Sequence, residues 1–147
     1  MNIYGDWWST TITLYNRVSD ENGKVTWYKT VIPECFYSHT VDTIAINNTI
    51  LTSDVSICRI KVNDAFVSKH TFLSMSEQDR VSHFTLSAND IIVADEIDFN
   101  INEYVKGSRS SDLLKLFKED PGCFTIKQAS NNTGPGRGCE HYFARGV

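Results

Sequence analysis

No apolar run in the 147-residue sequence approaches the ~20 residues that a membrane-spanning helix requires, so none is expected. The first eight residues, Met1 to Trp8, lack the basic and apolar regions of a secretory leader, which predicts a chain that stays inside the cell that makes it. Cysteine is sparse and dispersed. Cys35, Cys58, Cys123 and Cys139 include no Cys-x-x-Cys pair, which removes the usual zinc and thioredoxin-like signatures and points to buried thiols. Only Cys123 and Cys139 flank one loop closely enough to suggest a disulfide. His39, His70, His83 and His141 show neither His-x-His nor His-x-x-x-His spacing, so no metal and no other cofactor is expected. Positive charge is short as well. Fourteen basic against eighteen acidic side chains leave a net charge of -4, which argues against a protein whose task is to grip phosphate backbones.

The usual catalytic patterns are missing too. No Gly-x-Ser-x-Gly elbow is present to raise a serine nucleophile. Cys35 with His39, and Cys139 with His141, are the available thiol and imidazole pairs, and both are generic at that spacing. Gly134-Pro-Gly-Arg-Gly138 lacks the Gly-Lys-Ser/Thr and the following helix of a phosphate loop, so it reads as a hairpin tip. Asp95 and Glu96 would point to opposite faces of a strand and make no acid/base couple. The expectation is a protein that is not an enzyme.

What is present is an ordinary globular composition, 41% apolar and 22% charged, in a length that suits one domain. Residues 1–9 form an N-terminal arm without usable period, and residues 10–147 make the folded body. From Thr11, Ile12, Leu14 and Val18 alternate with Thr13, Tyr15 and Arg17, as in a half-buried strand. Asn22-Gly23 favours the positive φ angles of a hairpin turn, after which Val25, Trp27 and Val31 alternate again. Pro33 marks an edge or a bend. Residues 39–54, rich in Thr and Asn, read as a long loop or irregular hairpin, and residues 63–89 as a second long connection in which Ser74 to Arg80 can form a turn of helix and His83 to Leu86 a short strand. Val55 to Val62 is a strand between them.

Ile91-Ile-Val-Ala94 is apolar on both faces and suits a central strand, and Ile97, Phe99 and Ile101 alternate as a further half-exposed strand. Asp90, Asp95, Glu96 and Asp98 fall within nine residues that hold no base, and read as a solvated edge. Ser110 or Ser111 can cap a short helix whose Leu113, Leu116 and Phe117 share one face, and Pro121-Gly122 ends it. Phe124 to Ala129 and Cys139 to Ala144 are the last two strands. Six to nine short strands with one short α-helix before the C-terminal hairpin predict an all-β barrel or sandwich.

Tyr4, Trp7 and Trp8 are the candidate interface residues. They carry large apolar area in a segment with neither helical nor strand period, which suits an anchor on a neighbouring subunit. Trp27 and Phe36 are expected in the core.

Taken in order, Ile12-Thr-Leu-Tyr-Asn-Arg17, Asp90-Ile-Ile-Val93, Asp112-Leu-Leu-Lys115 and Phe124-Thr-Ile126 resemble a family of small tailed-phage structural proteins from the head-to-tail morphogenesis genes of prophages. Some small β-barrel proteins of that kind are head-closure adaptors, or stoppers. Residues 39 to 89 are longer here than in the better-known stoppers. The resemblance implies a virion structural protein of the neck, assembled in the bacterial cytoplasm. Its partners would be copies of itself in a ring, together with portal and tail proteins. Genomic DNA would pass nearby, and a negative lumen would keep the duplex from sticking. No active-site residue is carried over. A second reading, from the residues alone, is a small OB-like or lectin-like binding barrel that takes a nucleic-acid strand or a sugar, with Trp27 and Tyr28 as stacking surfaces.

Overall fold

The computed structural model describes residues 8–133 and 140–146, apart from the side chains of Asp42, Thr52 and Ser53. Six antiparallel strands close into a barrel: β1 (Thr10–Ser19), β2 (Val25–Ile46), β3 (Thr49–Lys61), β4 (Ile91–Val93), β5 (Cys123–Asn132) and β6 (His141–Gly146). Their order around the barrel is β1-β2-β3-β6-β5-β4. Closure removes the exposed strand edges that an open sheet would present. The all-β expectation is met, and α3 (Ser110–Phe117) stands where the inserted helix was expected. Two further short helices are α1 (Lys69–Ser74), which was not expected, and α2 (Glu77–Val81), which overlaps the helical turn expected over Ser74 to Arg80.

Strand β2 serves two neighbours. Its first part pairs with β1 as far as Cys35, and the part from Cys35 onward pairs with β3. The change of partner falls at Pro33-Glu34, where Glu34 takes a φ of 58° and the register slips between Thr10 and Ile12. A bulge of this kind bends a strand and exchanges its two faces. Before it Ile32 reaches the interior; after it Cys35 does. The face of Val25, Trp27 and Val31 therefore turns outward, and Val31 is exposed.

Inside the barrel, Ile12, Leu14, Ile32, Cys58, Ile60, Ile92, Phe124 and Ile126 form the main core. A second core lies outside β1 and β4, where Tyr15, Ile91, Val93 and Leu113 are covered by Ile97, Phe99, Ile101, Leu114 and Phe117. Hence β1 is buried on both faces, and Thr13 and Tyr15 have no solvent exposure despite the half-buried pattern of the sequence. Leu116 faces solvent, and Leu114 takes the place expected for it on the packed side of α3.

Residues 95–101 are not a strand. They form an extended strap over β1, held by side chains in place of a ladder: Thr13 Oγ1 donates to the Asp95 carbonyl at 2.7 Å and accepts from Ile97 N at 3.1 Å, while Tyr15 OH donates to the Phe99 carbonyl at 2.6 Å. Period two survives because an extended chain lying flat on a surface alternates whether or not it is paired. Burial first, then the charge of Asp98, push the Tyr15 hydroxyl well above its ordinary pKa, so it stays a donor.

Residues 63–89 are no open loop. Phe66 and Phe84 bridge each other, and Phe66 stacks on Tyr142 at 3.9 Å between centroids. Phe84 and Leu86 belong to the main core, and Phe72 under α1 is fully buried. Together they plug one end of the barrel.

Candidate assembly surfaces

The opposite end carries the feature least expected from the sequence. Beyond Tyr37 and Cys58, β2 and β3 run on as an unbroken ladder from Ser38↔Ile57 to Ile46↔Thr49, so residues 39–54 form a regular hairpin. The turn is Asn47-Asn48, with φ of 50° and 62°, the left-handed pair that a two-residue hairpin turn demands and that asparagine tolerates. Among the described pairings, β1 leaves β2 at Cys35 and β6 leaves β3 at Ser56, so the outer part of the hairpin is paired only with itself. This spur exposes Val41, Ile44, Ile46, Ile50 and Leu51, each by half or more of its surface, and Ile50 by 70%. Ile44 stands opposite Leu51 and Ala45 opposite Ile50, which puts one aliphatic pair on each face of the hairpin near its tip. A lone two-stranded hairpin is marginal in water at best.

At the root of the spur, His39 Nδ1 lies 2.8 Å from Ser56 Oγ across the ladder, and Tyr37 lines the same cleft. Burial raises the pKa of Tyr37 above its ordinary value. These groups line a cleft of about 670 Å³ whose other wall is Leu114, Pro121, Gly122 and Phe124. The His39–Ser56 contact ties β2 to β3 where the spur leaves the barrel wall.

The thiol and imidazole pairs weighed in the sequence are not brought together. Cys35 Sγ faces the Ile32 and Pro33 carbonyls at 3.6 Å and shares the interior with Cys58, whereas His39 is engaged by Ser56. Cys139 lies outside the described residues, and so does its pairing with Cys123 or His141; His141 Nε2 lies 3.3 Å from Asn132 Nδ2. Among the described residues, no three His, Cys, Asp or Glu side chains converge as metal ligands. Trp27 and Tyr28 do not offer stacking faces. The Trp27 indole donates to Glu103 at 3.1 Å beneath the strap, and Tyr28 packs edge-on against Phe72 and under Arg80. Of the N-terminal candidates, Tyr4 and Trp7 lie outside the described residues, and Trp8 is half-buried.

Asp90, expected on a solvated edge, is fully buried, and only Asp95, Glu96 and Asp98 face water. Its position follows from the chain: the residue before β4 must enter the barrel beside Asn16.

One family model, described as a family of unknown function (DUF6751), matches residues 8–147. The chain belongs to this family. The match covers barrel, plug, strap and spur and begins at Trp8, beyond Tyr4 and Trp7. No curated protein and no solved structure matches the sequence. Membership of the family thus attaches to the whole described fold.

Proposed function

We propose that the chain is a non-enzymatic adaptor of a tailed-phage neck, of the head-completion or stopper type, forming a ring between portal and tail. The spur carries this reading. Five exposed aliphatic side chains on a hairpin whose outer part, among the described residues, pairs only with itself favour burial in a neighbouring subunit, at roughly 1.5–3 kcal/mol for each one fully covered. A closed barrel gives a rigid frame for such a projection, and contacts that pass from one copy to the next can close a ring. The resemblance of Ile12 to Arg17, Asp90 to Val93 and Asp112 to Lys115 to small prophage structural proteins points the same way. Tyr4, Trp7 and Trp8 are proposed as a second anchor. The particle in the host cytoplasm is then the place of action, with portal and tail proteins as partners.

The test is complementation of a phage that lacks this gene. Replacing Ile44, Ile50 and Leu51 together by Ser should leave the thermal midpoint of the isolated chain nearly unchanged while tailed particles fail to form, and deletion of residues 1 to 8 should do the same. Normal particle yield from the Ser variant would overturn the reading.

A further inference from the structure

Closure of the barrel gives each strand a neighbour on both sides, and the spur is where that stops. Among the described residues, 40–46 and 49–55 pair only with each other, and no backbone hydrogen bond reaches them from another segment. Ladder bonds alternate along a strand, so every second residue on each side turns its N–H and C=O outward. The pair that closes a two-residue turn is hydrogen-bonded. Counting from Ile46↔Thr49, the Thr43↔Thr52 pair therefore turns its N–H groups away from the hairpin.

Exposed edges are ordinarily blunted by Lys, Pro, a bulge or a very short strand. The spur has none of these. No Lys or Arg stands between Lys29 and Arg59, no Pro between Pro33 and Pro121, and the register runs without a shift from Ile46↔Thr49 to Cys35↔Ile60. Thr43-Ile-Ala-Ile46 and Thr49-Ile-Leu51 are rich in β-branched residues, and every residue from Thr43 to Leu51 is exposed. An unguarded edge of this composition is a template for a further strand.

The two edges suit each other. They run antiparallel, so copies standing side by side with their spurs pointing the same way lay residues 49–55 of one against residues 40–46 of the next. The faces match as well. Val41, Ala45 and Ile50 share one face of the hairpin, and Ile44, Ile46 and Leu51 the other. With the tips level, Leu51 meets Ile44 of the next copy and Ile50 meets Ala45, so aliphatic pairs continue across the join.

We propose that the spurs of adjacent copies join edge to edge, β2 of one against β3 of the next, into one continuous antiparallel sheet. The inference rests on the ring reading and names the contact between neighbours. Pairing of two like edges leaves the other two in water, and a strand from another protein covers one edge of each spur and leaves the second bare. A head-to-tail contact uses both edges of every copy, and a closed round leaves none open. A second copy is thus the occupant that accounts for the whole spur.

Sedimentation of the full chain over a concentration series tests the contact. The wild type should form species larger than a dimer. Thr43→Pro removes an outward donor from the β2 edge and Thr52→Pro one from the β3 edge, and each alone should weaken association roughly tenfold. An equimolar mixture of the two should give a one-to-one dimer, because each variant keeps the edge that the other lacks. Circular dichroism checks that both are folded. Should a proline disturb the hairpin, a mixture of Ile44→Cys with Leu51→Cys reads the same contact as a disulfide between copies under mild oxidation. A wild type that stays monomeric, association that survives both prolines, or mixtures that neither dimerise nor cross-link would overturn the proposal. Dimerisation of Thr52→Pro by itself would overturn it too, as it would show like edges pairing. A monomeric wild type whose Thr43→Pro variant still blocks tailed particles would give the edge to a strand of another protein. Sedimentation needs no phage, so the contact and the neck reading fail separately.

Discussion

The side-chain amide of Asn16 donates to the Asp90 carboxylate at 2.9 Å, and neither residue is reached by solvent. The same amide donates to the Thr85 carbonyl at 2.6 Å, and Asn16 accepts from Thr85 N at 3.3 Å. Asp90 also accepts from Arg17 N at 2.9 Å and from both Ser87 N and Ser87 Oγ. One polar cluster thus ties β1, the plug and the start of β4 together at the closed end of the barrel.

Asp90→Ala should cost about 3 kcal/mol, because it strands backbone donors of Arg17 and Ser87 in a dry site. Burial raises the Asp90 pKa above its ordinary value against the opposing pull of Arg17 N, Asn16, Lys69 and Ser87. A raised folded pKa means that the stability linked to this group is fully present below the unfolded value of about 3.9 and is lost as pH rises through the folded one. Urea denaturation of the wild type and of Asp90→Asn across pH should show the wild type losing stability relative to the variant as pH rises above about 4. A wild type that gains stability relative to the variant as pH rises would contradict this.

Gly146→Ala should destabilise the barrel by about 1–3 kcal/mol, since a Cβ there would press into the Thr125 carbonyl and the Phe124 ring where β6 meets the β5 bulge. Gly23→Ala has open space around it and should cost only the strain of its φ of 81°, about 1 kcal/mol. Chemical denaturation midpoints rank the two, and a loss at Gly146 no larger than at Gly23 would show that the strands give way to the added methyl group.

Cys35, Cys58 and Cys123 should react slowly with a thiol reagent at neutral pH while the chain is folded. Cys35 and Cys58 have no exposure; the neighbouring Cys35 thiol and then burial push Cys58 well up, and burial carries Cys123 to about 11. Thiolate is the attacking form, so Cys58 is shielded twice, Cys35 by its burial and Cys123 by its raised pKa. Mass spectrometry after timed alkylation should find these three labelled only when denaturant is added, and rapid labelling of any of them in the native chain would refute the expectation.

Local pattern was enough for much of the fold. Alternation along Thr11–Val18, the apolar run at Ile91–Val93, the Asn22-Gly23 turn and the short helix after Gly107 are set by neighbours in sequence, and each stands where the residues placed it. Residues 39–54 are the hairpin that was one of the two readings, and a regular one: Thr and Asn resemble a loop in composition, yet β-branched Thr and Ile support strands and Asn47-Asn48 makes the turn between them. Tertiary structure decided the rest. Burial of Thr13 and Tyr15 depends on a strap some eighty residues away, because hydrophobic patterning reports one covered face and cannot report that a distant segment covers the other. The charge of Asp90 is hidden for the same reason, as its donors come from β1 and from the plug. Phe36, Arg59 and Phe143 look unrelated along the chain and become a single row only when the register of β2, β3 and β6 is fixed, so the face they make belongs to the folded barrel alone.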